Sequence, residues 1–257
     1  MISAQDVQYS YIKKELLLKN ELKRGAKSNY VKYTQEWLCY HGFKTTIDQI
    51  FGPATEKQVQ KFQQSKQLEK TGIVDFKTYQ ELVKPMLKAL TPIPKDYKSY
   101  RETLLAYAMQ HIEQNPKEIG GENRGPWVRL YMSGNDGRSY LWCAGFVTFL
   151  LKQSSHNSNF TMPIKGSWSC DSLAAQAKEK QIFIKKDNQI AKEIIPGYIF
   201  LCQKSSTDWT HTGIVLRSDA EIFETIEGNT NDERYRDGDA ACSSVRAYKS
   251  KDFIKIV

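Results

Sequence analysis

Ser139-Tyr140-Leu141-Trp142-Cys143-Ala144-Gly145-Phe146, followed by Val147, Leu150 and Leu151, is the stretch on which the reading of this chain turns. Positions 143, 146, 147, 150 and 151 follow the i, i+3, i+4, i+7, i+8 rule of a helix with one buried face. Cys143 therefore stands where a loop becomes a helix. Unpaired backbone N–H groups and the positive end of the helix dipole favour an anion at that point. A thiol there gives up its proton more readily, and the thiolate is the form that attacks acyl carbon. The same amides suit the oxyanion of a tetrahedral intermediate. Taken alone, the segment reads more readily as a buried structural cysteine.

Two later segments change that balance. Trp209-Thr210-His211-Thr212-Gly213-Ile214-Val215-Leu216 sets a histidine at the start of a β-rich run. A neutral imidazole accepts a thiol proton, and an imidazolium stabilises a thiolate. His41 and His156 sit in turn-like contexts and His111 in a helix, so these three read as surface or capping residues. Glu224-Thr225-Ile226-Glu227-Gly228-Asn229-Thr230 then carries a carboxylate and an amide, at a distance suited to the next antiparallel strand. Either Glu227 or Asn229, placed behind the imidazole, would fix its tautomer and orientation.

The surrounding pattern is mixed. Residues 100–114 and 171–180 read as helices, and 197–202, 213–216 and 222–226 as short strands bounded by turn residues. Helices first and strands later predict an α+β domain with an antiparallel sheet. Before it, Thr91-Pro92-Ile93-Pro94-Lys95-Asp96 cannot continue a helix and reads as a linker. Further upstream, Val31, Trp37 and Leu38, then Val59 and Phe62, then Tyr79 and Leu82 form three apolar stripes. The expected organisation is a helical extension over 1–24, a small three-helix module over 25–88, a linker over 89–98 and an α+β domain over 99–257. No internal repeat is evident.

Cysteine on a helix, histidine on a strand and a polar residue at the end of the next strand is the layout of a papain-like fold. Residues 99–257 resemble the CHAP family of cysteine amidases and peptidases, relatives of the NlpC-type cell-wall hydrolases. The matching text is Trp142-Cys143-Ala144 entering an apolar helix, His211-Thr212-Gly213-Ile214-Val215, and Glu227-Gly228-Asn229. The resemblance implies Cys143 as nucleophile, His211 as base and Glu227 as its orienting partner, with Asn229 assisting or taking that place. The family often has Gln near the nucleophile to complete the oxyanion hole; here Trp142 precedes Cys143, and Tyr140 is the substitute candidate. Some relatives bind calcium near the position of Asn135-Asp136-Gly137, but one carboxylate makes a poor calcium cage and a turn is the better reading. No metal or other cofactor is expected.

The first module has a likeness of its own. Gln35, Leu38, Gly42, Phe51-Gly52, Thr55, Val59, Phe62-Gln63, Leu68, Gly72-Ile73-Val74 and Thr78 resemble the three-helix peptidoglycan-binding module. That family usually shows Asp-Gly before Phe-Gly, where this chain has Asp48-Gln49-Ile50-Phe51-Gly52, so a reshaped loop is expected. Asp48, Phe51 and Thr55 are the candidate ligand contacts on this module. Trp168 and Trp209 are candidates to stack on sugar or line a peptide groove.

Both resemblances point to one polymer, peptidoglycan. The expected activity is cleavage of an amide in the stem peptide or at the lactyl–alanine junction through a cysteine thiolate. The alternative is a wall-binding protein with an inactive papain-like domain. Lys plus Arg exceed Asp plus Glu by 37 to 29, which favours an anionic partner such as acidic wall polymers. Nucleic acid is not expected, since no recognition motif is present. Five cysteines without a CxxC pair argue against a zinc ribbon or a disulfide framework. No apolar run spans a membrane and no signal peptide is recognisable. The expectation is a monomer made in the cytoplasm that reaches the wall by release or export, as an endolysin or a secreted lytic effector.

Overall fold

The computed structural model describes residues 1–94, 96–156, 158–185, 190–230 and 238–256; Lys95, inside the expected linker, lies outside them. The helices are α1 (Ser10–Leu16), α2 (Asn29–Tyr40), α3 (Pro53–Ser65), α4 (Phe76–Ala89), α5 (Tyr100–Ile112), α6 (Pro126–Tyr131), α7 (Cys143–His156) and α8 (Cys170–Glu179). The strands are β1 (Phe183–Ile184), β2 (Ile199–Ser205), β3 (Asp208–Ser218), β4 (Ile222–Thr230), β5 (Ala240–Ala247) and β6 (Lys251–Ile254). None of the helices is long and apolar enough to cross a membrane. The chain forms two compact units, Met1–Thr91 with Lys117–Gly137, and Pro92–Pro116 with Arg138–Val257.

That division corrects the expected 99–257 domain, because residues 117–137 return to the first unit. Two sets of contacts hold them there: Trp127 packs on Trp37 and Tyr40 of α2 at 6.3 and 6.2 Å, and Arg129 centres a buried ion cluster. Arg129 on α6 is 5% exposed and donates through Nε to both oxygens of Glu15 on α1, at 2.9 and 2.8 Å. Its Nη2 meets Glu36 Oε2 on α2 at 2.6 Å, and its Nη1 meets Asp136 Oδ2 at 2.7 Å. A guanidinium offers donors on all three nitrogens, and here three carboxylates accept from them. Asp136 also accepts from Gly125 N at 3.1 Å, so the Asn135-Asp136-Gly137 turn is held by an ion pair. The expected extension over 1–24 is likewise an integral part of this unit, with Ile12, Glu15 and Leu16 buried.

Within the first unit the three apolar stripes form the core, with Val31, Trp37, Leu38, Val59, Phe62, Tyr79 and Leu82 fully or almost fully buried. An internal repeat, unrecognised in the sequence, builds its two loops. Gln35 Nε2 donates to Asp48 Oδ1 (2.8 Å), Ile50 O (3.1 Å) and Thr55 Oγ1 (3.2 Å), and Gln35 Oε1 accepts from Asp48 N and Gln49 N. Gln63 repeats this: its Nε2 donates to Thr71 Oγ1 (3.1 Å), Ile73 O (2.8 Å) and Thr78 Oγ1 (3.2 Å), and its Oε1 accepts from Gly72 N. The two loops share a left-handed position, occupied by Gln49 at φ 67 and Gly72 at φ 76. The expectation that a missing glycine reshapes the first loop is thus corrected. Gln49 adopts the conformation that a glycine would take, and the Gln35 amide holds it there.

The second unit is α+β. Among the described residues its sheet has six antiparallel strands in the order β1-β6-β2-β3-β4-β5. Helix α7 packs on β3 and β4, α8 on β3, and α5 on α7. Helix α7 is buried almost all round from Cys143 to Leu151. Tyr100 Oη donates to Leu151 O at 2.6 Å, tying α5 to α7. His111, read from the sequence as a surface residue, is fully buried, and its Nε2 lies 2.9 Å from Gln153 Oε1 on α7.

Candidate active site

Two glycines let helix and sheet meet closely enough to form a site. A Cβ on Gly228 would lie 2.5 Å from Phe146 Cβ and 3.0 Å from Trp142 Cε3, so β4 approaches the start of α7 with no side chain between. Gly213 pairs with Glu227 across β3 and β4. A Cβ there would lie 2.8 Å from Glu227 Cγ. Alternate residues of a strand share a face, so His211 and Gly213 point the same way. The empty side-chain position at 213 leaves room for the Glu227 carboxylate to reach across to His211.

The resulting chain of contacts begins at Cys143, the first residue of α7. Its sulfur accepts hydrogen bonds from the Cys170 thiol, from His211 and from the Ala144 N–H. His211 Nε2 lies 2.7 Å from Glu227 Oε2. Because Nε2 is engaged there, Nδ1 is the nitrogen left for the thiol. Glu227 is completely buried. Arg246 on β5 donates Nε to Glu227 Oε1 at 2.8 Å and Nη2 to Oε2 at 2.5 Å, and Thr225 Oγ1 donates to Oε1 at 2.6 Å.

These contacts decide the protonation states. Burial alone would raise the Glu227 carboxyl, but hydrogen bonds from Arg246 and His211 pull it down to about 2. Burial opposes charge on His211, yet hydrogen bonds to Cys143 and Glu227 push it up to about 10. The Cys170 hydrogen bond is the largest influence on Cys143 and, with those from His211 and Ala144, outweighs burial to hold this thiol well below its ordinary range. Cys170 moves the other way, raised by its bond to Cys143 and by burial. The favoured state is therefore a thiolate–imidazolium pair backed by an ionised carboxylate. Such a pair is the activated form of a sulfur nucleophile.

Of the residues singled out in the sequence, Cys143, His211 and Glu227 come together. Glu227 rather than Asn229 holds the imidazole. Asn229 is buried in the irregular end of β4 at φ 54, and its Oδ1 has no hydrogen-bond partner among the described residues. Tyr140 and Trp168 meet edge to face at 6.4 Å, each just upstream of one of the two cysteines, and Trp168 is 44% exposed. Trp209 does not serve as a groove residue. It is 6% exposed, donates Nε1 to Asp252 Oδ2 at 2.8 Å, and lies under Lys178 Nζ at 4.4 Å. On the first unit, Phe51 is core and Thr55 is buried against Gln35, which removes both from the ligand contacts; Asp48 stays exposed.

Two residues of this cluster escaped the sequence reading. Arg246 lies on a strand recognised only in the structure, although a buried carboxylate behind a histidine already calls for a cationic partner. Cys170 follows Ser169, whose side chain caps α8 by accepting from Ser172 N at 3.3 Å. That cap marks Cys170 as a second cysteine at a helix start.

Residues 27–82 match the family model described as a putative peptidoglycan binding domain. The match covers α2, α3 and the first half of α4, with both glutamine-held loops, and supports association with the cell wall. No curated protein matches the chain.

Proposed function

We propose that this chain is a peptidoglycan hydrolase that holds the wall through residues 27–82 and cuts an amide of its peptide with Cys143. What carries the reading is the hydrogen-bonded series Cys143–His211–Glu227, with the last member clamped by Arg246. The likeness of the second unit to CHAP-type cysteine amidases and peptidases points the same way. The wall-binding module raises the local concentration of polymer around an attached hydrolase.

The reaction follows from the protonation states. The Cys143 thiolate attacks the amide carbonyl carbon, and the oxyanion forms against the amides at the start of α7. His211 imidazolium then delivers its proton to the departing amine, leaving an acyl thioester on Cys143. Neutral His211 takes a proton from water, the hydroxide attacks the thioester, and the thiolate leaves again paired with imidazolium. Glu227 stays ionised throughout and holds the ring so that Nδ1 faces the sulfur. The scissile bond is an N-acetylmuramoyl-L-alanine amide or a peptide bond of the stem, and the natural settings are an endolysin or an exported lytic effector.

The test is mass spectrometry of fragments released from purified sacculi. Wild-type protein is expected to release fragments with new amine and carboxylate ends, and prior alkylation with iodoacetamide to stop release while sacculus binding persists. Release that survives full alkylation of Cys143 would falsify the thiol mechanism. Binding without release from untreated protein would leave a wall-binding module joined to an inactive domain.

The pH dependence has a definite sign. Thiolate exists above the lowered pKa of Cys143, and imidazolium exists below the raised pKa of His211, about 10. The pair therefore spans neutral pH. An ordinary thiol near pKa ~8.5 loses reactivity about tenfold per unit below that value. The expected rate of Cys143 alkylation rises clearly less steeply than that between pH 6 and 8. Fragment release should decline only above about 10, where His211 loses its proton. A tenfold rise per unit across pH 6 to 8 would show a neutral thiol instead.

A further inference from the structure

The hydrolytic reading uses Cys170 only as a hydrogen-bond donor to the Cys143 sulfur. Both residues are first in their helices and nearly buried, at 6% and 7% exposure. Their sulfurs are in hydrogen-bonding contact. The contact is built by anchors on either side of Cys170. Upstream, Thr148 Oγ1 on α7 donates to Ser167 O at 2.7 Å and accepts from Ser167 N at 2.9 Å. Gly166, at φ 81, allows the loop to lie on α7, since a Cβ there would fall 2.5 Å from Thr148 Cγ2. Downstream, Asp171 Oδ1 accepts from Trp209 N on β3 at 2.7 Å. The segment from 166 to 171 is thus fastened to both α7 and β3, with the Cys170 thiol held against Cys143. All five cysteines are free thiols in this structure.

A nucleophilic thiolate beside a second thiol is the arrangement of an oxidisable pair. We infer that Cys143 and Cys170 form a reversible intramolecular disulfide on exposure to peroxide, with Cys170 as the resolving thiol. In the first step the Cys143 thiolate attacks one oxygen of hydrogen peroxide. The O–O bond breaks, a sulfenic acid forms on Cys143, and hydroxide leaves as water with a proton from the His211 imidazolium. In the second step the Cys170 sulfur attacks the Cys143 sulfur. The S–O bond breaks, the S–S bond forms, and hydroxide leaves as water with the Cys170 proton. Two thiols lose two electrons to one peroxide, and two waters result. A dithiol reverses the change by exchange through a mixed disulfide. The disulfide itself follows from the sulfur pair alone. Its effect on hydrolysis rests on the reading of Cys143 as nucleophile, since a sulfur in an S–S bond cannot attack.

The pair also sets how the nucleophile is damaged. A sulfenic acid with no neighbouring thiol proceeds to sulfinic and sulfonic acids, which do not return. Cys170 intercepts it. Cys202 is the other cysteine close to the imidazole, lying opposite His211 in the β2–β3 ladder, and it is the internal comparison.

The experiment uses the full-length protein, reduced, freed of reductant and treated with about one equivalent of hydrogen peroxide. Peptide mapping without reduction is expected to show Cys143 joined to Cys170, with the five free thiols falling to three. Fragment release should fall more than about tenfold and return with dithiothreitol. In Cys170→Ser the same treatment should yield Cys143 sulfinic and sulfonic acid, not recovered by dithiothreitol. In Cys202→Ser the 143–170 link should form as in wild type. Overoxidation of Cys143 in the wild type to the extent seen in Cys170→Ser, or a link from Cys143 to Cys202, overturns the inference. A 143–170 link in a protein that releases no fragments even when reduced leaves the disulfide standing and removes the hydrolase reading.

Discussion

Cys143→Ala should still fold and still bind sacculi, yet release fragments at least ~10⁴-fold more slowly than wild type, because removing a covalent nucleophile removes the whole acyl-transfer route. Folding should survive for three reasons. The sulfur is small, and a single buried heavy atom lost from a core costs about 1 kcal/mol. The position keeps its place at the start of α7, where alanine is a good helix former. Loss of the thiolate also leaves no stranded charge. Thiolate is one of the groups that hold His211 in its protonated form, so without it the ring reverts toward neutrality, while Glu227 keeps Arg246. Wall binding should persist because the residues that match the peptidoglycan-binding model belong to the other compact unit. The comparison is made on purified sacculi, with binding read by co-sedimentation and release by mass spectrometry. Release at the wild-type rate from Cys143→Ala would remove the cysteine mechanism, and loss of sedimentation would show that the wall is held elsewhere.

Why this site was legible lies in how its parts are encoded. Cys143 shows because an apolar helix of strict periodicity begins at it, and His211 because a β-rich run follows it. Glu227 was visible as the end of the next strand, but its choice over Asn229 was not. That choice depends on Gly213, whose absent side chain clears the path between Glu227 and His211. Register between strands is a long-range property, and a sequence reveals a glycine without revealing what stands opposite it. Arg246 was missed for the same reason, since β5 alternates small and polar residues and carries little hydrophobic signal.

The internal repeat hid for a different reason. Its two loops use the same glutamine, left-handed residue and threonine, but Gln35 to Thr55 spans 20 residues and Gln63 to Thr78 spans 15. Unequal loops destroy a fixed period while leaving the hydrogen-bond scheme intact. The apolar stripes around them were read correctly because helix periodicity tolerates loops of any length. The boundary after α5 failed because residues 117–137 join the first unit through long-range contacts, the Arg129 ion pairs and the packing of Trp127 on Trp37 and Tyr40, that local periodicity does not reveal.

Arg129 therefore makes the strongest claim about stability. Arg129→Met should lower the stability of the first unit by ~3–5 kcal/mol at neutral pH, since breaking a buried ion pair on one side leaves the other charges uncompensated. The charges left behind would be Glu15, Glu36 and Asp136, with Lys32 Nζ 3.6 Å from Glu36 and acting more weakly on Asp136. Methionine keeps much of the apolar stem, so packing loss is secondary. For a unit of this size the change corresponds to a fall in Tm of more than ~10 °C. The loss should shrink in acid, and Glu15 gives the direction. Burial raises its carboxyl to about 7, against the pull of Arg129, because three carboxylates share one guanidinium. The folded form thus keeps a proton on Glu15 that the unfolded chain has already released above its ordinary value of 4.5. This contribution to stability is full below about 4.5 and is lost as pH rises through about 7. Wild-type Tm of this unit should accordingly decline from pH 5 to pH 8. The Arg129→Met deficit should be largest at the upper end, where Glu15 has lost its proton and no guanidinium faces it. Thermal unfolding across that range, with amide exchange in α2 and α6 to localise the transition, measures both. A variant as stable as wild type at pH 8 would mean that the carboxylates do not depend on Arg129.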